Sequence, residues 1–584
     1  MMINQNNEKS IAKLSQGGVP SYAGLTGNAL LAAVVATGTV GFALFGYDQG
    51  LMSGIIGAEQ FNREFPATKQ HAVDDVHGGT IQGTVTAVYE VGCFFGAMGA
   101  FIIGERMGRR RMMLLGGLIM IIGTIITVTA FGPGDSSGRG NVGGFVQFII
   151  GRVVTGLGNG ANTATVPSWI AETSKAHNRG FLICMEASTV AVGTVIAYWL
   201  DFGLSYVDTS VSWRFPIAFQ IFFALILMGG VLVLPESPRW LLRHGYDAEA
   251  TRVLAALENR TTDDEVAVEA KTRLAHSLEA QENMSTGARA LFIQGKNQNM
   301  TRMLVGASTQ LFQQIGGCNA VIYYSTILFR NQIGLEGQLP LILGGVLSVV
   351  YMIFALMSFL LVEKVGRRKL FFIGTFGQAG SMFITWACLL AGGPENAKGA
   401  AVGLFLFIAF FGATWLPLPW LYPAELNSMP VRTHANAVST MTNWICNFLV
   451  VQVLPTMTAS INSWTFFLFA MANVIFLPFI YFFYPETSGR SLEEFDVLYA
   501  HSHAVGRRPT VVAKELPKLT DHQIEVMTDR YDLHNNRNTG KDVENGVDTS
   551  LPPATGEKHV YDSADDTVPN TAAGSSEDLA HNKA

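Results

Sequence analysis

Charge is scarce in this chain. Only 14% of its 584 residues are Asp, Glu, Lys or Arg, against about 25% in soluble globular domains, so most of its surface is not built to meet water. The five cysteines, Cys93, Cys184, Cys318, Cys388 and Cys446, all sit inside apolar segments, which leaves neither a disulfide framework nor zinc-ligand spacing. No phosphate-binding glycine loop and no metal-ligand cluster is present, and no segment is large and polar enough to be a catalytic domain. An enzyme, a cofactor and a bound metal are therefore not expected. The net charge of −6 comes mostly from the last 84 residues, which carry nine basic and fourteen acidic side chains, so it describes a tail and says nothing about nucleic acid, which is not an expected partner. Residues 235–300 form the second polar stretch.

What the chain has instead is long apolar runs. A helix crossing a ~30 Å hydrocarbon core needs about 20 residues, and twelve segments qualify: 29–57, 80–103, 112–131, 144–168, 181–203, 215–234, 301–329, 339–362, 369–392, 400–422, 434–456 and 463–484. The expectation is an all-α membrane protein of twelve transmembrane helices in two six-helix bundles. It divides into an N-terminal tail (1–28), a first bundle (29–234), a helical linker bracing the two halves (235–300), a second bundle (301–484) and a mostly disordered tail (485–584).

Arginine and lysine in the short loops set orientation. Arg106, Arg109, Arg110 and Arg111 follow the second span, Lys175 and Arg179 the fourth, and Lys364, Arg367, Arg368 and Lys369 the eighth, whereas the opposite loops hold few, such as Arg139. Both termini and the linker are thus expected in the cytoplasm of a multi-pass plasma-membrane protein. Residues 1–27 lack the apolar core of a cleavable signal peptide, so the first span is expected to act as the insertion signal.

The halves repeat themselves. Glu105 and Arg109 in Gly104-Glu-Arg-Met-Gly-Arg-Arg-Arg111 recur as Glu363 and Arg367 in Val362-Glu-Lys-Val-Gly-Arg-Arg-Lys369. Glu172 with Arg179 recurs as Glu425 with Arg432, and Pro235-Glu236-Ser as Pro485-Glu486-Thr, at offsets of 250 to 258 positions. A duplicated six-helix unit suggests two bundles rocking about a central site. The repeated glutamates and arginines then read as a cytoplasmic latch joining the bundles in one state. Positive-inside anchoring is the simpler reading, but it leaves the glutamates unexplained.

These motifs, with Phe45-Gly-Tyr-Asp-Gln-Gly50, Gly151-Arg152, Pro235-Glu-Ser-Pro-Arg-Trp240 and Gln313-Gln-Ile-Gly-Gly-Cys-Asn-Ala-Val-Ile-Tyr-Tyr324, span about residues 40–495 in order. The chain resembles the sugar porter family of the major facilitator superfamily, and within it the fungal hexose/proton symporters. The resemblance implies uptake of a monosaccharide, a hexose such as glucose, by alternating access. A sugar, protons and the lipid bilayer are the implied partners.

The chemistry of the seventh span suits a sugar, which presents hydroxyls on its rim and C–H groups on its faces. Gln313, Gln314 and Asn319 supply amides, Tyr323 lies one helical turn beyond Asn319, and Gly316-Gly317 weakens the helix between them. The resemblance adds Trp420 and Asn443 as substrate-binding positions. It also marks two departures: Ala187, beside Glu186, where the family has a sugar-binding glutamine, and Tyr351 where it often has an asparagine. Another sugar, a polyol or a sugar acid therefore remains open as substrate.

Asp48 and Arg152 are lone charges inside apolar spans, and each needs a partner. The economical arrangement is that they face one another. The resemblance implies proton coupling, since symporters of the family carry an acid at the Asp48 position. Glu90, Glu186 and Asp201 are further acids in or near the spans. Facilitated diffusion without protons, and a transporter-like sugar sensor with a long tail, are the remaining alternatives. Lys514, Lys518, Lys541 and Lys558 in the tail are candidates for regulatory modification.

Overall fold

The protein is described by a computed structural model, covering residues 18–70, 72, 74–130, 142–174, 179–283, 291–292, 294–428, 431–531 and 533. Lys175, Arg139, Lys541, Lys558, the side chain of Arg179 and residues 1–17 of the N-terminal tail lie outside the described residues.

Twelve long helical segments follow in order. The first half comprises α1 (Gly27–Ile55), α2 (Val76–Met107), α3 (Arg109–Val128), α4 (Val142–Thr173), α5 (Arg179–Leu204) and α6 (Val211–Val233). The second half comprises α7 (Asn299–Ile315, then Cys318–Ile327), α8 (Leu339–Val365), α9 (Arg367–Ala391), α10 (Pro394–Phe410, continued by Leu418–Leu426), α11 (Arg432–Ile461) and α12 (Trp464–Phe483). Ten of these are individually long and apolar enough to cross a membrane. The other two are α4, which carries Arg152, Asn159 and Asn162, and α7, whose halves of 17 and 10 residues are interrupted.

Local chemistry accounts for the interruptions. Gly317 adopts φ +97 between the pieces of α7, a left-handed conformation that glycine enters without penalty, and a Cβ there would lie 2.9 Å from the Phe469 ring. In α10, Pro417 and Pro419 remove backbone donors, and the chain passes through a π-helical turn at Phe411–Trp415 before resuming. A second π-helical turn, Leu328–Gln332, ends α7.

Helices approach closely where they carry glycine. At Gly193 of α5 a Cβ would fall 1.8 Å from the Ala43 carbonyl of α1, and at Gly46 of α1 1.8 Å from the Val190 carbonyl of α5. Small residues at such crossings allow the backbone contact that drives helix association where no hydrophobic gain remains between helices in lipid.

Two features refine the expected layout. The linker helices Pro238–Arg243 and Asp247–Glu258 pack on the first half, while Leu291, near the other end of the linker, is buried with Met303, Val431 and Ala435 of the second. Trp240 Nε1 donates to the Glu105 carbonyl at 2.7 Å, and Tyr22 packs against the cluster of Trp240, Leu241, Ala250 and Val253. The tail is also ordered well past Val497, through Leu492–Val505, Pro509–Glu515 and Asp521–Arg530. These helices are too short to show sustained periodicity, but they are capped: Ser491 accepts from the Glu494 N–H at 3.1 Å, and Thr520 with Gln523 forms a capping box. Val497, Ala500, Ile524, Met527 and Tyr531 bury one another. Asp496 anchors the first of these helices to α7 through Arg302, at 2.6 Å, and the Arg302 guanidinium lies 4.4 Å from the Tyr499 ring centre.

Candidate functional site: a central cavity and a buried ion pair

A narrow cavity lies between the halves. The first half contributes Phe45 and Gln49 from α1 and Val190 from α5. The second half contributes, among others, Gln313, Gln314, Asn319, Tyr351, Trp420 and Asn443. Five of the six expected substrate-binding residues therefore meet here.

The amides form one network. Gln313 Nε2 donates to the Trp415 carbonyl at 2.7 Å, a carbonyl in the π-helical turn of α10. Asn443 Nδ2 donates to Gln313 Oε1 at 2.9 Å and to Gln310 Oε1 at 2.6 Å. Asn319 Nδ2 donates to Gln314 Oε1 at 2.5 Å and to Asn447 Oδ1 at 2.6 Å, and Gln49 Nε2 reaches Asn319 Oδ1 at 3.5 Å across the halves. Each amide is thereby oriented by another, which pre-sets donors and acceptors for a polyhydroxylated molecule. The Trp420 indole stands edge-on to Phe42 of α1, ring centres 5.7 Å apart.

Tyr323 is the exception. It does not line the cavity: its hydroxyl donates to Glu90 of α2. One turn beyond Asn319, Ile322 still lines the cavity while Tyr323 beside it turns to the first half. Gln49, Gln310 and Asn447 were not singled out from sequence. Gln310 lies one turn before Gln314 in α7, and Asn447 one turn beyond Asn443 in α11, so helical spacing from the known amides was the available signal.

The two lone charges do face one another. Arg152 donates to Asp48 Oδ1 at 2.7 Å, with both side chains at most 1% exposed, and Gln220 of α6 donates to the same oxygen at 2.9 Å. The guanidinium lies 4.6 Å from the Tyr89 ring centre. Glu186 and Asp201 are buried with both carboxyl oxygens lacking a hydrogen-bond partner among the described residues, and neither lines the cavity.

At the arginine-rich end the repeated motifs form the same assembly twice. Arg109 pairs with Glu105 at 3.1 Å and Glu172 at 2.8 Å, while Glu236 accepts the main-chain N–H groups of Arg109 and Arg110 at 3.0 and 3.1 Å. Arg367 pairs with Glu363 at 3.0 Å and Glu425 at 2.9 Å, while Glu486 accepts from the Arg367 and Arg368 N–H groups at 2.8 and 3.1 Å. Arg432 donates to the Asn427 carbonyl. In this conformation these contacts tie helices within one half, whereas the latch reading expects pairs between the halves. The glutamates Glu236 and Glu486 cap the N-termini of α3 and α9, where exposed N–H groups and the helix dipole favour an anion. Burial raises the Glu236 carboxyl above its ordinary pKa, although the Ser237, Arg110 and Arg109 N–H groups oppose the shift. The halves approach each other here at Gly180 of α5, where a Cβ would lie 3.6 Å from Glu363 and 3.8 Å from Arg367.

Comparison with known proteins agrees with this architecture. Residues 32–499 match the model of the family described as "Sugar (and other) transporter". The chain is 48% identical to the sugar transporter STL1 of Saccharomyces cerevisiae over 86% of its length and 87% of the relative's, and 45% identical to the major facilitator superfamily transporter mfsA of Aspergillus fumigatus over 88% and 94%. Among solved structures, the proton:xylose symporter XylE bound to 6-bromo-6-deoxy-D-glucose superposes with a TM-score of 0.67 at 24% identity, covering 81% of this chain and 99% of that one. It shares the twelve-helix fold. The chain is a transporter rather than an enzyme, and it belongs to the sugar porter family of the major facilitator superfamily.

Proposed function

We propose that the protein takes up a monosaccharide, a hexose such as glucose, together with protons across the plasma membrane by alternating access, with both termini in the cytoplasm. The observation that carries this reading is the double role of α1, which presents Phe45 and Gln49 to the cavity and, on the intervening turn, Asp48 to Arg152. A change at the acid is thereby a change in the cavity wall.

The ionised Asp48 holds α1 to α4 and, through Gln220, to α6. A proton on Asp48 removes the charge that Arg152 pairs with, frees α1 to shift, and lets Gln49 and Phe45 close on a sugar held by Gln313, Gln314, Asn319 and Asn443 with Trp420 as an apolar wall. The bundles then rock, and the arginine-rich ends part where Gly180 meets Glu363 and Arg367. Relatives named for sugar and glucose transport support the substrate class.

A smaller acyclic polyol is the second reading. Tyr351 occupies part of the cavity wall, and the first half offers Gln49 as its one amide among the lining residues, an arrangement that suits a substrate with fewer hydroxyls. The deciding experiment measures uptake of labelled hexoses, pentoses, polyols and disaccharides in a transporter-deficient cell, with and without an uncoupler. Hexose accumulation abolished by the uncoupler supports the first reading; polyol-selective uptake supports the second; uptake indifferent to the uncoupler overturns proton coupling.

A further inference from the structure

Glu90 sits at the middle of α2, fully buried, and no step above uses it. It accepts the hydroxyl of Tyr323 from the opposite half, and the Asn447 carboxamide of α11 flanks the same carboxyl. The ionisable groups facing it from the packed elements are Asp48 of α1, Arg152 of α4 and Tyr323 of α7, together with Tyr89 and Cys93 on its own helix.

The charge inventory is unbalanced. Two carboxyls, Asp48 and Glu90, and one guanidinium, Arg152, are all at most 1% exposed; Arg152 donates to Asp48 and lies over the ring of Tyr89, the residue beside Glu90. Fully ionised, the group would leave one net negative charge out of water, with a heavy desolvation penalty. With one proton it is neutral. Glu90 also touches both halves: Tyr89, its neighbour, carries Arg152 on its ring, while Asn447 accepts from Asn319 in the cavity wall.

We propose that Glu90 is a second proton-carrying carboxyl of the coupling site, sharing one proton with Asp48 against Arg152 and passing its charge state to Asn319 through Asn447 and Tyr323. Ionised, Glu90 accepts the Tyr323 hydroxyl from the second half, with its other oxygen left open. Protonated, it gains an O–H donor, so Tyr323 or Asn447 must offer an oxygen in place of a hydrogen, and Asn447 is already bonded to Asn319. The proton moves between the two carboxyls and solvent, no covalent bond is made elsewhere, and the sum of charges on the three groups returns to zero each time one proton is held.

The inference rests on the coupled-transport reading, so its test must not depend on the substrate. The full-length chain in lipid vesicles is titrated between about pH 4 and 9 and followed by infrared difference spectroscopy of the protonated carboxyl C=O stretch. The expected result is a titrating band from a dehydrated carboxyl that disappears in Glu90→Gln, persists at a displaced midpoint in Asp48→Asn, and moves in Tyr323→Phe. Glu90→Gln is isosteric, and Tyr323→Phe removes only the hydroxyl, so a folding failure in one leaves the other to decide. A titrating signal unchanged in Glu90→Gln and Tyr323→Phe, or lost only in Asp48→Asn, overturns the proposal. Proton influx driven by D-glucose in the same vesicles reports separately: its absence in the wild type counts against the coupled-transport reading, while the infrared bands still decide whether Glu90 shares the proton.

Discussion

Asn443 donates to Gln313 Oε1 at 2.9 Å while its own Oδ1, buried, has no hydrogen-bond partner among the described residues. A buried acceptor left open costs free energy, and here it borders the cavity, where a hydroxyl of the proposed substrate would satisfy it. Asn443→Ala removes that acceptor and releases Gln313. The expected outcome is a rise in KM of about 10- to 100-fold, equivalent to one or two hydrogen bonds, with unchanged protein at the membrane. Concentration-dependent uptake alongside surface quantification checks it.

The Asp48–Arg152 pair is expected to behave as a unit. Arg152→Met strands a buried carboxylate and should destabilise the protein by about 3–5 kcal/mol, whereas the double variant with Asp48→Asn recovers most of the loss. Asp48→Asn alone should equilibrate substrate without accumulating it. Thermal melting of the solubilised protein and uphill uptake measure the two effects. Retained accumulation in Asp48→Asn removes the acid from the coupling step.

Tyr351 lines the cavity where a shorter amide would leave room. Tyr351→Asn is expected to enlarge the cavity and add a hydrogen-bonding edge, shifting preference toward pyranoses and away from small polyols. Competition of unlabelled hexoses and polyols against labelled substrate measures the shift. An unchanged ranking would mean that Tyr351 does not set specificity.

Arg302 is fully buried, and its ion pair is with Asp496 of the docked tail. Asp496→Ala leaves the guanidinium uncompensated and is expected to cost about 3–5 kcal/mol, seen as a lower melting temperature and faster proteolysis of residues 492–531. The same tail should respond to pH. Burial, with Arg530 nearby, holds the His501 imidazole below its ordinary 6.5, and its Nδ1 shares a hydrogen bond of 2.7 Å with the Tyr531 hydroxyl. A base with a lowered folded pKa contributes stability that is present above 6.5 and lost as pH falls through the folded value. Hydrogen-exchange protection factors in 492–531, corrected for the intrinsic pH dependence of exchange, should therefore fall on acidification, and His501→Gln should flatten that dependence.

The twelve spans and the duplicated motifs were legible in the sequence because length, hydropathy and period are properties of the chain itself. The Asp48–Arg152 pairing was legible too, since two lone charges in lipid have few ways to be satisfied. Tyr323 was not: helical spacing places it near Asn319 but does not say where the cavity ends and α2 begins. The partners of Arg109 and Arg367 were equally hidden, because like motifs repeated in both halves fit pairing within a half as well as between halves. The tail helices escaped notice because each spans only two to four turns, and their apolar residues find partners on one another.

The interruptions of regular backbone within α7 and α10 have a mechanical consequence. Both π-helical turns and the Gly317 break belong to the second half, and the first half shows no such turn among the described residues. The two repeats thus inherited one fold and divided its labour. The first holds the Asp48–Arg152 pair on helices without a π-turn among the described residues, and the second, which supplies most of the cavity's side chains, carries the joints at which its helices can bend.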